Sequence, residues 1–376
     1  MRDVAEEINW QKVRDDFPIT KRVAYLKSAA TGPLTRRVAD APAEFYREVM
    51  EEGDRKWEEW VARREAARSR IAEMINADTD EIAFTSNTST GMNIIVDALE
   101  NRGDVLSSEL EFPVTTVPWL HRGVPVHLLK AVNGEVRTED VRRAMNERTK
   151  IIAVSHVQYS NGFRADLEEL GNNKSNHYFV VNASQSAGVL PIDVKRMRID
   201  ALCATGHKWM LAGLGTGFLY LSRELVAETS PRAIGWLSVE DAFGMRNNEF
   251  SVRKDAAARA ELGVPQFASI FAFGAATNYL MNLGVENIER RALELNRFLT
   301  NRLIESGWRV LSPLANEKAR SAETLVAVEQ PSQAVARLFE RGVDVTRKPE
   351  GIRVATHFFN NEADIERLIE TLNEMR

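Results

Sequence analysis

The sequence predicts an α/β protein: a large domain on a mostly parallel sheet, followed by a smaller C-terminal α/β domain. Short apolar runs alternate with helix-patterned segments from about Glu81 to Leu221, the rhythm of βαβ units. Two of these runs, 178–181 and 201–204, are almost wholly apolar, as strands covered on both faces are. Further strand-like runs return near 308–311, 324–328 and 352–355, among helical patterns. Residues 1–22 are expected to form an N-terminal arm, 23–260 the large domain and 261–376 the small one.

Taken in order, 1–20 read as a short amphipathic arm, and 23–33 as a strand ending in a Gly-Pro turn. Apolar positions at Trp57, Trp60, Val61, Ala67, Ile71 and Ile75 predict helix across 41–76. A strand over 81–85 leads into the polar turn 86–91 and a helix from Met92 to Leu99. Strand, hydroxyl-rich turn and helix N-terminus form a cradle for an anion, and Thr88 and Ser89 are its candidates. The same pattern also reads as a plain N-cap. Strands follow over 104–108 and 150–154. Then come a helix over 269–284 with Ile270, Phe273, Ala276 and Leu280 on one stripe, a helix over 285–305, and a last helix over 362–375.

The chain has 376 residues, 44% hydrophobic and 27% charged, with a net charge of −5, the profile of a globular protein without bulk attraction to nucleic acid or anionic membrane. Its single cysteine, Cys203, excludes an intrachain disulfide framework and a multi-thiolate metal site. The six histidines show no metal-ligand spacing. Without a signal-like start or a bilayer-length apolar run, a cytoplasmic protein is expected.

The most informative stretch runs from Val180 to Leu221. After the second apolar run come Thr205-Gly206-His207-Lys208-Trp209 and a glycine-rich return, Gly213 to Gly217. Lysine loses its proton readily when desolvated, so a lysine at the end of a buried strand is a candidate Schiff-base former. Ahead of it stand Asn182, Gln185, Ser186, Gly188, Pro191, Asp193 and Val194. This constellation resembles the class V aminotransferase group, which includes cysteine desulfurases, selenocysteine lyases and kynureninases. That group writes D-x-x-Q-S-x-G-x-x-P-x-D-V and then [ST]-G-H-K-W. Glu111-Phe112-Pro113 and Gly235-Trp236-Leu237-Ser238-Val239 are similar to its isopenicillin N epimerase-like branch. At pattern level the resemblance extends from Tyr25 to Asn360.

The resemblance implies the fold type I architecture, a homodimer, pyridoxal 5′-phosphate as cofactor and a small amino-acid substrate. It makes Lys208 the catalytic, cofactor-bearing lysine. Thr88, Ser89, Thr205 and His207 then fall to the phosphate, Gln185 to the 3-oxygen and Asn182 to the pyridine nitrogen. Phe112 is placed to stack on the ring, a role its residue type fits as well as it fits a core position. Arg353, in register with Phe359 and Asn360, is implied as the substrate-carboxylate ligand. Tyr159 and Asn161 are candidates for substrate or cofactor contact, and His156 reads as a buried structural histidine. No metal is implied.

Three departures qualify the match. Asn182 replaces the aspartate that keeps the ring nitrogen protonated. This is consistent with chemistry needing less carbanion delocalisation, such as elimination of a good leaving group, with a weakened family member, or with a substituted chain. Val264 stands where the family has a phosphate-capping threonine from the neighbouring subunit. No cysteine occurs in 338–351, where desulfurases carry their persulfide thiol, so that reaction is disfavoured.

Overall fold

A computed structural model describes residues 8–376. The strands are β1 (Ala24–Tyr25), β2 (Ile82–Thr85), β3 (Asp104–Ser108), β4 (Val126–Leu129), β5 (Thr149–Ser155), β6 (Tyr178–Asn182), β7 (Ala201–Thr205), β8 (Gly217–Leu221), β9 (Glu323–Ala327), β10 (Val343–Asp344), β11 (Thr346–Lys348) and β12 (Gly351–Ala355). Seven of them form the central sheet in the order β2-β8-β7-β6-β5-β3-β4. The run β7-β6-β5-β3-β4 is parallel throughout, and β8 lies antiparallel between β7 and β2.

Alternation along each strand feeds two separate cores. Phe179 and Val181 of β6, and Leu202 and Ala204 of β7, face helices Trp57–Met74 and Phe267–Leu283. Val180, Ala201 and Cys203 face helix Thr88–Leu99 through Met92, Ile95 and Val96. This two-sided burial is why both runs lack polar interruptions. The mostly parallel sheet clothed in helices is the fold type I arrangement that the sequence implies.

Two details differ from expectation. The helical stretch 41–76 is two helices, Arg36–Glu52 and Trp57–Met74, parted at Gly53, whose φ of 64° favours glycine. The strand near 308–311 is reduced to a single bridge, Val310 to Val326.

The smaller α/β unit is an antiparallel sheet, β11-β12-β9, against helices Val285–Glu305, Pro331–Glu340 and Glu362–Asn373. Its own core gathers Leu295, Leu299, Leu338, Ile352, Val354 and Leu368. Helix Val285–Glu305 joins the two units, since its Ile288 and Ala292 belong to the larger core. Strand β1 pairs in parallel with β10. The first seven residues of the expected arm lie outside the described residues. From Trp10 onward the arm docks on the C-terminal helix, where Arg14 holds Asp364 at 2.8 and 2.9 Å.

Candidate active site

The carboxyl ends of β2, β3, β5, β6 and β7 share one edge of the sheet, where ligands of open α/β sheets bind. Because β8 runs the other way, its first residue, Gly217, sits on this edge between Thr85 and Thr205. A Cβ on Gly217 would lie 2.8 Å from the Ala204 carbonyl oxygen and 2.9 Å from Thr85 Oγ1, so only glycine closes the sheet here. The entry loop after β1 presses on the segment after β7. The Gly32 amide donates to the His207 carbonyl at 2.8 Å, and a Cβ there would overlap the Lys208 carbonyl.

These ends enclose a cavity of 210 Å³. It is lined by Thr88, Ser89, Phe112, Tyr159, Asn182, Gln185, Thr205, His207 and Lys208, all candidates from the sequence, together with Asn87, Val114, Ser155, Val157 and Ser184. Helix Thr88–Leu99 begins four residues earlier than its apolar pattern predicts. Asn87, not Thr88 or Ser89, is the N-cap, with its side chain accepting from the Thr90 amide at 2.9 Å. Thr88 and Ser89 therefore occupy the first turn, whose amides have no carbonyl partner within the helix. Thr88 Oγ1 lies 2.6 Å from Ser184 Oγ, and Thr205 Oγ1 lies 2.6 Å from His207 Nδ1. Amides, hydroxyls and an imidazole thus converge at one end of the cavity, a donor set suited to an anion.

Lys208 lies beside them. Burial and the neighbouring Arg353 push its pKa down to about 8, against the pull of Glu323. From its ordinary value near 10.5, that shift raises the neutral-amine fraction at pH 7 roughly three-hundredfold. Its Nζ stands 5.9 Å from the centroid of Phe112, and Phe112 meets Tyr159 edge-on at 5.1 Å. Burial and Lys208 together lower the pKa of His207. Gln185 is braced by both ends of its amide: Nε2 donates to the Ala29 carbonyl at 3.0 Å and Oε1 accepts from Trp209 Nε1 at 2.7 Å. One Nε2 proton is left for a ligand.

Two candidates are not on the cavity wall. Asn161 donates to the Gly134 carbonyl at 2.7 Å and accepts from the Phe163 amide at 3.0 Å, so its amide braces a loop. Arg353 is buried, with Nη1 donating to the Tyr159 carbonyl at 3.0 Å and lying 3.3 Å from Glu323 Oε2. His156 is fully buried and held well below its usual pKa by desolvation, a neutral structural histidine.

Sequence reasoning missed Glu323 and Lys348. Glu323 is buried, and neither oxygen accepts a hydrogen bond among the described residues. Burial raises its pKa, opposed by Arg353, Lys208 and Lys348. Lys348 is also buried, with Nζ 4.0 Å from the Tyr159 ring centroid and a pKa lowered to about 8 by burial and Arg353. A glutamate opening one strand and a lysine closing another carry no sequence signal of a shared site.

Fold and cavity together define an α/β enzyme built around a desolvated lysine. The chain belongs to the class V aminotransferase family, whose family model matches residues 24–368. A probable cysteine desulfurase of Methanothermobacter thermautotrophicus is 32% identical over 304 residues, spanning 77% of this chain and 74% of that protein. An isopenicillin N epimerase of Amycolatopsis lactamdurans is 25% identical, over 97% of this chain and 98% of its own. The solved apo structure of a cysteine desulfurase from Thermococcus onnurineus NA1 matches with a TM-score of 0.88 at 25% identity, over 97% of both chains. Pyridoxal 5′-phosphate is the cofactor of the family and of this chain. The cavity suits it, with amides and hydroxyls of a kind that meet a phosphate, a desolvated amine and buried polar groups at Asn182 and Gln185. No cluster of potential metal ligands occurs among the described residues.

Proposed function

We propose that this enzyme cleaves the Cβ–S bond of a cysteine-like α-amino acid, with water, to give pyruvate, ammonia and a thiol or sulfide. The observation that carries this reading is the contrast between its lysine and its thiol. Lys208 lines the cavity as a readily deprotonated amine, whereas Cys203 lies in mid-sheet at 0% exposure with its pKa pushed up to about 12. A thiol so placed is a poor sulfur acceptor, so sulfur leaves without a protein persulfide.

In this reading Lys208 carries the cofactor and moves the proton at Cα. The cofactor, once bound, supplies the sink for the electron pair left at Cα. Thr88, Ser89, Thr205 and His207 hold its phosphate, Gln185 its 3-oxygen and Asn182 its ring nitrogen. Phe112 and Tyr159 wall the substrate side. Arg353 takes the substrate carboxylate by exchanging its contacts to Glu323 and the Tyr159 carbonyl. The exposed apolar side chains Ile234, Trp236, Phe243 and Val264 support a homodimer.

A second reading, epimerisation at Cα, is favoured by Lys348. It is a second amine with a pKa near 8, separated from Lys208 by the Phe112–Tyr159 pair.

Protein reconstituted with pyridoxal phosphate and offered cysteine, cystine and other β-substituted amino acids decides between them. Pyruvate release by wild type and by Cys203→Ala, lost in Lys208→Ala, supports elimination. Inverted amino acid without pyruvate supports epimerisation. Thiol-dependent sulfide release that disappears in Cys203→Ala overturns the proposal.

A further inference from the structure

Asn182 leaves an uncharged amide where the family's aspartate faces the cofactor ring nitrogen. Behind it lies a carboxylate that nothing so far has used. Glu111, on the loop after β3, is 7% exposed and forms no ion pair with lysine or arginine among the described residues. Its Oε1 accepts from the Ser155 amide at 2.8 Å and from Gln158 Nε2 at 2.5 Å, and its Oε2 accepts from Ser155 Oγ at 2.5 Å. The Thr115 side chain stands beside them and acts on the carboxyl in the same sense, the least of its polar neighbours. Desolvation pushes its pKa up, and the three hydrogen bonds, with Thr115 beside them, oppose that shift by favouring the ionised form. A buried carboxylate served by donors but without a cation is costly unless a counter-charge arrives.

A line of polar groups leads from the cavity toward that carboxylate. The Ser184 amide can only donate, and it donates to Asn182 Oδ1 at 3.1 Å, which fixes the orientation of the side-chain amide. Asn182 Nδ2 therefore faces Thr115 Oγ1 and donates to it at 3.1 Å. The Thr115 hydroxyl accepts from Asn182 and so keeps its own proton, which rotation can turn toward the neighbouring Glu111. Each member polarises the next, so negative charge on Glu111 makes Asn182 Oδ1 a stronger acceptor. Asn182 lines the cavity and keeps one oxygen lone pair free.

We propose that Glu111, acting through Thr115 and Asn182, is the counter-charge for the cofactor's ring nitrogen and keeps that nitrogen protonated although an amide touches it. The proposal rests on the reading that Lys208 carries the cofactor with its ring nitrogen at Asn182. Glu111 is then a positioning residue, remote from the substrate.

The test is nuclear magnetic resonance of protein reconstituted with pyridoxal phosphate labelled with nitrogen-15 in the ring. Wild type is expected at the protonated end of the shift range. Glu111→Gln is expected to move the resonance more than halfway to the unprotonated end, and Asn182→Asp in that background to return it. Thr115→Val, which keeps the carboxylate but cuts the relay, is expected to move it likewise, whereas Thr115→Ser holds it. An unprotonated nitrogen in wild type, or an unmoved resonance in Glu111→Gln, overturns the relay. If Glu111→Gln does not fold, equal resonances for Thr115→Val and Thr115→Ser do so. Colourless wild-type protein that takes up no cofactor fails the Lys208 reading first, and is distinguished from failure of the relay by its spectrum.

Discussion

Replacing Lys208 with methionine should stabilise the cofactor-free protein. Methionine fills similar volume without a charge, and the ammonium it removes is disfavoured by burial and by Arg353. A folded-state pKa of about 8, against 10.5 for the free side chain, is a shift of about 2.5 units, or about 3 kcal/mol at about 1.4 kcal/mol per unit. The sign follows from linkage. Below pH 8 both states hold the proton and the full penalty falls on the folded one. Between 8 and 10.5 the unfolded chain binds more protons, so wild-type stability rises with pH. The gain in Lys208→Met is therefore at most about 3 kcal/mol at pH 7, and it fades by pH 10.5. With an unfolding entropy of ~2.1 cal/mol/K per residue, that is about 4 °C in Tm for this chain. Lys348 is present in both proteins, and Lys208 is the least of the influences that lower its pKa, so its contribution changes little. Calorimetry of the two cofactor-free proteins at pH 7 and pH 10.5 reads the difference. A Tm for Lys208→Met at or below wild type at pH 7, or a gain that does not shrink at high pH, refutes the reasoning.

Cys203→Ala should leave turnover unchanged and cost on the order of 1 kcal/mol in stability, because the thiol it removes is fully buried in the sheet. A thiol reagent should label wild type only after denaturation, read by mass spectrometry. Arg353→Lys keeps a charge but loses the planar fork, so kcat/KM should fall at least about tenfold while the visible spectrum of the bound cofactor stays as in wild type. Thr88→Val removes a hydroxyl from the cavity wall where the phosphate is proposed to sit and should weaken cofactor affinity by roughly tenfold, measured by titration of the absorbance.

The parts of the fold that were legible in sequence are those where one element's pattern answers one neighbour. Strands β6 and β7 are apolar throughout because alternate residues serve two cores, and the lysine loop is marked by residues that follow β7 directly. Other features depend on packing that no local pattern records. The helix start moved to Thr88 because Asn87 outcompeted two adjacent hydroxyl residues for the cap. Val310 makes a single bridge to Val326, held by the Leu311 amide on the Leu325 carbonyl and the Ala327 amide on the Arg309 carbonyl, and the pairing goes no further. Asn161 was named from a loop motif, but its amide is consumed within the loop. Thr115 and Asn182 meet across 67 residues of sequence, and Arg353 reaches the Tyr159 carbonyl across 194. Glu323, read in isolation, is an ordinary polar residue at a strand's end.

The central claim is that the cofactor is carried on Lys208. Reconstitution with pyridoxal phosphate, borohydride reduction, proteolysis and peptide mass spectrometry tests it most directly, because two amines in this region have pKa values near 8. A phosphopyridoxyl group on the peptide at Lys208 alone is the expected result. The group on Lys348, or on neither lysine, contradicts it.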